Sequence, residues 1–183
     1  MLKKNWQIKK QWLKKHNKIV VITIIILFLS LLTKFLFLEK IPPAFSHDEM
    51  GYLINALSVS ITGFGKSGEW FPLSFTPVEP TLAELPTLFF VPFFYLPFSL
   101  TFNLRLLHVF MGITIPFFIA FISYFLTKSK SASYFTWVLA LFNPWLWQMS
   151  RLTFDVMFSW WFYLLGILIF LWKKRYGKLW SII

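Results

Sequence analysis

The stretch KIVVITIIILFLSLLTKFLFL, residues 18–38, decides the fold of this chain. Residues 19–38 are apolar almost throughout, and an α-helix needs about 20 such residues to cross a hydrocarbon core of about 30 Å. The one charged residue in this run, Lys34, lies near its far end and is expected to extend its ammonium group to the membrane interface. We therefore predict a membrane-spanning helix over residues 19–38.

The composition of the whole chain agrees with a membrane protein. Hydrophobic residues make up 57% of the sequence and charged residues only 14%, whereas soluble domains carry about 25% charged residues. Cysteine is absent, which excludes disulfides, thiolate catalysis and cysteine-based metal sites. The expected class is an all-α integral membrane protein.

The basic residues at the N-terminus indicate its orientation. Seven lysines lie within residues 1–18, directly before the first apolar run. A basic flank of this kind favours a cytoplasmic N-terminus and contact with anionic membrane lipids, so nucleic acid is not an expected partner. The apolar run is longer than the ~7–15 residues of a cleaved signal peptide, and no A-x-A site follows. We predict an uncleaved anchor.

Three further apolar segments complete the predicted topology: residues 104–126, 132–149 and 156–172. If each spans the membrane, the basic clusters within residues 127–131 and 173–178 join the N-terminus in the cytoplasm, and all seven acidic residues fall outside. The predicted fold is a polytopic transmembrane helix bundle of about four spans. Its parts are a basic tail (1–18), helix 1 (19–38), a long external loop with juxtamembrane helices (39–102) and helices 2–4 (103–183).

Residues 85–100 are apolar but interrupted by Pro86, Pro92 and Pro97. Proline in a helix interior removes a hydrogen bond and collides with the preceding turn. A full span here would also reverse the sides of the later charged segments. We therefore predict a broken helix at the outer interface.

The sequence GFGKSG, residues 63–68, matches a glycine-rich phosphate-binding pattern in its letters only. A dinucleotide fingerprint needs a preceding strand within a βαβ unit, and an external loop does not meet cytoplasmic nucleotides. A flexible turn is the favoured interpretation.

The sequence SHDE, residues 46–49, follows the first span and contains two adjacent carboxylates. Ser46 and Glu49 have the spacing of a capping box, in which each side chain binds the backbone of the other. The next residues predict an amphipathic helix on the membrane surface, with Met50, Leu53, Ile54 and Leu57 as its apolar positions. Capping accounts for Glu49 but not for Asp48, which leaves Asp48 as a candidate catalytic group. A lone His47 does not build a metal site.

Four other charged residues are expected on the outer side. Arg151 and Asp155 are spaced for an i,i+4 ion pair. A functional role is an equal alternative, because Asp155 is expected on the same outer side as Asp48. Glu84 is placed to begin a helix, where a carboxylate is favourable. Arg105 and Arg151 are cations on the outer side, where a lipid phosphate is a suitable partner.

The order of these features resembles the N-terminal part of the GT-C glycosyltransferases of the protein O-mannosyltransferase and aminoarabinose-transferase type. The resemblance covers roughly residues 42–161. Its most specific parts are Asp48-Glu49 after the first span and the stretch NPWLWQMSRLTFD, residues 143–155.

This resemblance implies an enzyme that transfers a sugar from a polyprenyl-phosphate donor to an acceptor hydroxyl outside the cytoplasm, with inversion. The acceptor would be a protein or a glycan. Asp48 would be the general base, with Glu49 and Asp155 as further catalytic residues. Arg105, Arg151 and Glu84 would bind the lipid phosphate or substrate. No cofactor is firmly implied, and a divalent metal is an open alternative. Glu-Leu-Pro-Thr, which begins at residue 84, lacks the lysine of the related Glu-Lys-Pro-Pro stretch and so departs from the family where phosphate or metal contacts would lie.

Two alternatives remain at this point. One is a small non-catalytic membrane protein, such as a flippase component or an assembly partner. The other is a polysaccharide polymerase or ligase of the bacterial inner membrane. Because enzymes of the resembled family have about a dozen spans, this chain is expected to be a fragment of a larger protein.

Overall fold

The computed structural model describes residues 2–66, 68 and 84–176, which are mostly helical and contain no β-strand. In chain order the helices are α1 (Leu2–Phe35), α2 (His47–Thr62), α3 (Glu84–Phe90), α4 (Leu100–Thr127), α5 (Lys130–Leu141), α6 (Pro144–Met149) and α7 (Asp155–Tyr176), with a 3-10 turn at Val91–Tyr95 after α3. The chain divides into two compact units, Met1–Thr33 and Lys34–Ile183. The predicted all-helical class is confirmed for these residues.

The first unit consists of α1 up to Thr33. Its side chains at Val20, Val21, Ile24 and Phe28 are each more than half exposed, and a helix that is apolar on all sides suits hydrocarbon surroundings. The helix ends at Phe35 rather than at residue 38. Phe37, with φ of 54°, adopts the left-handed conformation, which is incompatible with continuing an α-helix.

Two helices of the second unit are long and apolar enough to cross a membrane, Leu100–Thr127 and Asp155–Lys174. Val20–Phe35 and Leu85–Tyr95 are shorter apolar helices. Membrane-spanning length and composition are therefore present in two described helices, and the number of four spans stays a prediction.

α5 packs antiparallel against α4. The Ser133 hydroxyl donates to the carbonyl of Ala120 at 2.8 Å, and the Trp137 ring lies 5.6 Å from the Phe117 ring. Since later residues of α5 contact earlier residues of α4, the chain turns back on itself after Thr127.

The apolar segment 132–149, predicted as one span, is not one helix. α5 ends at Leu141, and the short α6 begins at Pro144. The Asn143 side chain caps α6 by accepting from the backbone N–H of Leu146 at 2.9 Å, and proline at the first position cannot donate the bond that would continue α5. The Asn-Pro pair therefore divides this segment.

α7 runs parallel to α4. His108 contacts the carbonyl of Phe154 at the start of α7, at 2.8 Å, and Trp161 donates to the Thr114 hydroxyl at 2.8 Å. Both helices therefore advance in the same direction, and residues 128–154 return along α4 in between. Ser150 packs beside Gly112, so the return extends from the end of α4 at Thr127 back to the level of Gly112. At 1.5 Å per residue, this part of α4 is about 22 Å long.

α2, α3 and the 3-10 turn cover the starting half of α4. Their shared core contains Tyr52, Ala56, Phe90 and Leu104, each at most 1% exposed. The predicted helix after Ser46 is present, but Met50 and Ile54 face outward while Tyr52 and Ala56 face the protein. The broken helix predicted over residues 85–100 is confirmed as α3 followed by the 3-10 turn.

Candidate functional site

The capping box predicted at the start of α2 is present. The Ser46 hydroxyl accepts from the backbone N–H of Glu49, and a carboxylate oxygen of Glu49 accepts from the backbone N–H of Ser46, both at 3.2 Å. This local geometry turns the Glu49 side chain back toward the protein. Its carboxylate is fully buried.

Glu49 forms a buried ion pair with Arg105 of α4. Nε of Arg105 lies 3.0 Å from Oε1 of Glu49 and Nη2 lies 3.3 Å from Oε2, and the two side chains are 1% and 0% exposed. The backbone N–H of Thr153 also donates to Oε1 at 3.2 Å. One carboxylate thus joins the start of α2, the start of α4 and the segment that leads into α7.

The remaining donors of Arg105 bind backbone carbonyls. Nη1 donates to Leu38 at 2.9 Å and to Pro42 at 3.1 Å, and Nη2 donates to Ala44 at 3.4 Å. A guanidinium has five N–H donors, and the five bonds of Arg105 are all to protein groups. The expectation that Arg105 binds a lipid phosphate therefore conflicts with this geometry, in which the side chain is a structural centre.

Arg151 binds the same stretch of chain from the other side. It donates to the carbonyls of Lys34 at 3.0 Å, Leu36 at 2.8 Å and Ile41 at 3.0 Å, and its guanidinium lies 5.0 Å from the Trp147 ring. Burial and, to a smaller extent, the positive charge of Arg105 lower the pKa of Arg151. The predicted pair of Arg151 with Asp155 on one helix is not formed, because α7 begins only at Asp155.

The two arginines together hold one segment, which we call the carbonyl loop (residues 34–46). Six of its backbone carbonyls point inward to the two guanidinium groups. The first of them belong to the end of α1, where carbonyls lack helical partners and cations are favourable. The loop leads directly into Ser46, so its position fixes the start of α2.

Lys34 is buried, contrary to the expectation that it reaches the interface. It is 1% exposed, and its ammonium donates to the Ser150 hydroxyl at 2.9 Å. α4 approaches closely here because residue 112 is glycine: a Cβ at Gly112 would lie 2.2 Å from the Ser150 Cβ and 3.3 Å from the Lys34 Nζ. Among the described residues Lys34 has no carboxylate partner.

Three cations and one carboxylate are buried close together among the described residues. Lys34, Arg105 and Arg151 are at most 2% exposed, and Glu49 is the buried carboxylate beside them. Desolvating a charge costs several kcal/mol unless an opposite charge and hydrogen bonds compensate. The stability of this centre therefore depends on the Glu49–Arg105 ion pair and on the hydrogen bonds that the buried side chains form.

Asp48, directly before Glu49, has a different environment. Its side chain is 35% exposed, and the imidazole of His47 lies beside it, with 3.9 Å between Nδ1 and Oδ1. The first turn of α2 thus directs one carboxylate into the Arg105 pair and leaves the other partly exposed to solvent.

Asp155 and Glu84 each begin a helix, as expected for acidic residues. Asp155 is half-buried and lies two residues after Thr153, whose backbone binds Glu49. The segments that carry Asp48 and Asp155 are therefore adjacent. The Glu84 side chain lies outside what the structure describes.

His108 was not foreseen from the sequence. It is fully buried, stacks on Phe90 with 5.6 Å between ring centroids, and holds the backbone of Phe154. His108 lies one turn after Arg105 on α4. This spacing alone does not predict a buried histidine, because its partners come from distant segments.

The turn at GFGKSG is confirmed where it is described, since Gly63 ends α2 in the left-handed conformation with φ of 76°. No group of three or more histidine, aspartate or glutamate side chains suited to a metal ion occurs among the described residues. Comparison with known protein families, with curated proteins and with solved structures finds no match to this chain.

Proposed function

We propose that this chain is the N-terminal part of a membrane glycosyltransferase of the GT-C type. It would transfer a sugar from a polyprenyl-phosphate donor to an acceptor hydroxyl of a protein or glycan at the extracytoplasmic face. The observation that carries the proposal is the separation of two adjacent carboxylates. Glu49 is fully buried against Arg105, whereas Asp48 is 35% exposed in the first turn of α2.

In the proposed reaction, Asp48 takes the proton of the acceptor hydroxyl while the hydroxyl oxygen attacks the anomeric carbon. The bond from that carbon to the donor phosphate oxygen breaks, and polyprenyl phosphate leaves with the electron pair. Attack opposite the leaving group inverts the anomeric centre. A positioned general base contributes typically about 10²–10⁴-fold to such a step.

Lys34 and Arg151 are the cations that we assign to the leaving phosphate. Arg105 has no donor left for this role, so we make it a positioning residue for Glu49 and the carbonyl loop. An ammonium group has three N–H donors, and the described bond of Lys34 uses one. Phosphate would supply an anion to Lys34, which has no carboxylate partner among the described residues. Since Lys34 is 1% exposed, its contact with phosphate requires a local rearrangement.

Asp155 and Glu84 keep their proposed places at the substrate. Asp155 lies in the segment next to Asp48 and would bind hydroxyl groups of the sugar or the acceptor. Glu84 would contribute from the start of α3. Neither assignment calls for a metal ion, and a requirement for one is a separate question for assay.

The membrane arrangement that we propose has four spans, with the N-terminus in the cytoplasm and Asp48 outside. The parallel course of α4 and α7 supports it, because residues 128–154 must then return across the same distance between them. α5 and α6 together would form this return as a broken span. The exposed lysines after α4 and near the end of α7 fit the cytoplasmic side.

A non-catalytic membrane protein is the second candidate, and one observation favours it. The described bonds of Glu49 and Arg105 are all internal, and a purely structural protein would have equal use for them. In that case Asp48 would have no role beyond the first turn of α2.

The experiment is a transfer assay on the protein expressed from its complete reading frame in membranes. Synthetic undecaprenyl-phosphate-linked mannose, glucose and aminoarabinose serve as donors, and released undecaprenyl phosphate is measured. Asp48→Asn should lower release from the active donor by about 10²–10⁴-fold. The matched control is His47→Gln, the exposed neighbour, which should retain activity. Full activity of Asp48→Asn would exclude it as the general base, and no release from any donor would favour the non-catalytic candidate.

A further inference from the structure

The end of the second unit that lies farthest from Asp48 carries a cluster of lysines. α4 ends at Thr127 and α5 begins at Lys130, so Lys128 and Lys130 flank the turn between them. α7 reaches the same level, because Trp161 lies 5.4 Å from Phe118 and both helices then continue in parallel. Lys173 and Lys174 therefore lie near the α4–α5 turn. We call these four lysines the basic end.

The basic end differs in charge from the opposite end of the unit. All four of its lysines are exposed. The carboxylates described in the second unit lie near the starts of α2, α4 and α7, as the bond from Ser99 to Glu39 and the Glu49 network indicate. Within the described residues, the basic end thus has no acidic side chain to neutralise it.

Helix capping explains only part of this cluster. Lys173 and Lys174 lie in the last turns of α7 and Lys128 follows α4, where cations favour the helix dipole. The Lys128 ammonium also donates to the carbonyl of Phe125. Lys130 is different, because it is the first residue of α5 and places a cation at the positive end of a helix. Its position is unfavourable unless an anion lies nearby.

Two exposed aromatic residues lie beside the basic end. Trp172 is 60% and Tyr134 is 37% exposed; Trp172 directly precedes Lys173, and Tyr134 lies about one turn after Lys130 on α5. Trp and Tyr at headgroup level, with lysines beyond them, are typical of a helix end in a bilayer. These aromatic residues therefore favour a lipid headgroup as the anion beside the lysines.

We propose that the basic end binds the headgroup phosphate of an anionic phospholipid of the cytoplasmic leaflet. Lys130 and Lys128 approach it from the turn, and Lys173 and Lys174 approach it from α7. This inference rests on the membrane placement proposed above but not on the sugar-transfer reaction. It gives the lysines of the α4–α5 turn an anionic partner, which the described side chains do not supply.

The test uses the absence of cysteine from the chain. Ser131→Cys, an exposed position beside Lys130, is labelled with a fluorophore in the otherwise unaltered protein in nanodiscs. Quenching by brominated phosphatidylglycerol is compared with quenching by brominated phosphatidylcholine in otherwise equal bilayers. Phosphatidylglycerol should quench more strongly, and the difference should decrease as salt is added, because salt screens exposed charges.

Variants identify the residues responsible. Replacing all four lysines by glutamine should abolish the preference, since each lysine at the surface contributes a factor of roughly five, whereas four arginines should retain it. Lys40→Gln, at the opposite end, is the matched control and should behave like the parent protein. An unchanged preference in the glutamine variant overturns the proposal alone. Failure of the parent protein to insert into nanodiscs overturns the membrane placement as well.

Discussion

At the scale of single residues, the site depends on where each charge is placed. Ser46 turns Glu49 inward, Arg105 binds it there, and Asp48 stays at the surface. Two adjacent residues of the same chemical type thus have different solvation and different partners. A buried charge that loses its partner destabilises the fold. The effect of a substitution on stability therefore depends on whether it leaves a partner buried without its opposite charge.

Arg105→Met should be strongly destabilising. It leaves the Glu49 carboxylate buried without its cation and removes donors from three loop carbonyls. The expected loss is about 3–5 kcal/mol of unfolding free energy, measured by denaturation in detergent. The double variant with Glu49→Gln should lose less than the two single variants added together. Additive losses would show that the two side chains do not interact.

Lys34→Met should not be destabilising, although Lys34 is as buried as Arg105. Methionine keeps the length of the side chain and removes a desolvated charge that has no described carboxylate partner. The midpoint of thermal unfolding should be equal to or higher than that of the unaltered protein. A loss as large as that of Arg105→Met would mean that the ammonium group is structural.

The same variant tests the phosphate contact. Undecaprenyl phosphate should raise the unfolding midpoint of the unaltered protein, because a ligand of the folded state stabilises it, whereas undecaprenol and inorganic phosphate alone should not. Lys34→Met should remove this response and the exposed Lys40→Met should retain it. A full response in Lys34→Met would assign the phosphate to other residues.

The contacts within four consecutive residues of this site could be predicted from the sequence, and the contacts between distant segments could not. The capping box lies within four consecutive residues, so its letters were enough to predict it. The partner of Glu49 lies on another helix, and the carbonyls that bind Arg105 and Arg151 carry no signal in the sequence because every residue has one. The burial of Lys34 depends on Gly112 and Ser150, which only the packing of α4 brings to it.

At the scale of helices, α4 is the element that organises the site. Its second and third turns supply Arg105 and His108, which bind the start of α2 and the segment before α7. Its fourth turn supplies Gly112, against which Ser150 packs. The predicted single span over residues 132–149 was wrong as one helix, because Asn143 and Pro144 begin a new helix within the apolar run.

Gly112→Ala should be destabilising through steric overlap. The new Cβ would lie 2.2 Å from the Ser150 Cβ, and the backbone of α4 would have to move away. Overpacking of this kind typically costs about 1–3 kcal/mol. Gly166→Ala on α7 is the matched control, because its Cβ would meet nothing within 4 Å. Equal stabilities of the two variants would contradict the close approach of α4 to Ser150.

At the scale of the whole molecule, charge is segregated along the second unit. The described carboxylates and the buried centre around Arg105 lie at one end, and the exposed lysines of the basic end lie at the other. The sequence predicted this segregation from charge counts, because the positive-inside rule depends only on the order of segments. The parallel course of α4 and α7 could not be read from composition.

Cysteine labelling tests the proposed sides of the membrane. His47→Cys and Asp155→Cys should react in intact cells with a membrane-impermeant thiol reagent, and Ser131→Cys should react only after permeabilisation. The background is clean because the chain has no cysteine. Labelling of Ser131→Cys in intact cells would reverse the placement of the α4–α5 turn.

The most direct test of the central claim, that two adjacent carboxylates have separate structural and chemical roles, compares the unfolding free energies of Asp48→Asn and Glu49→Gln. Asp48→Asn should lie within about 0.5 kcal/mol of the unaltered protein, as surface substitutions usually do. Glu49→Gln should lose about 3–5 kcal/mol, because it leaves Arg105 buried without its carboxylate. Equal stabilities of the two variants, or a larger loss in Asp48→Asn, would contradict the account.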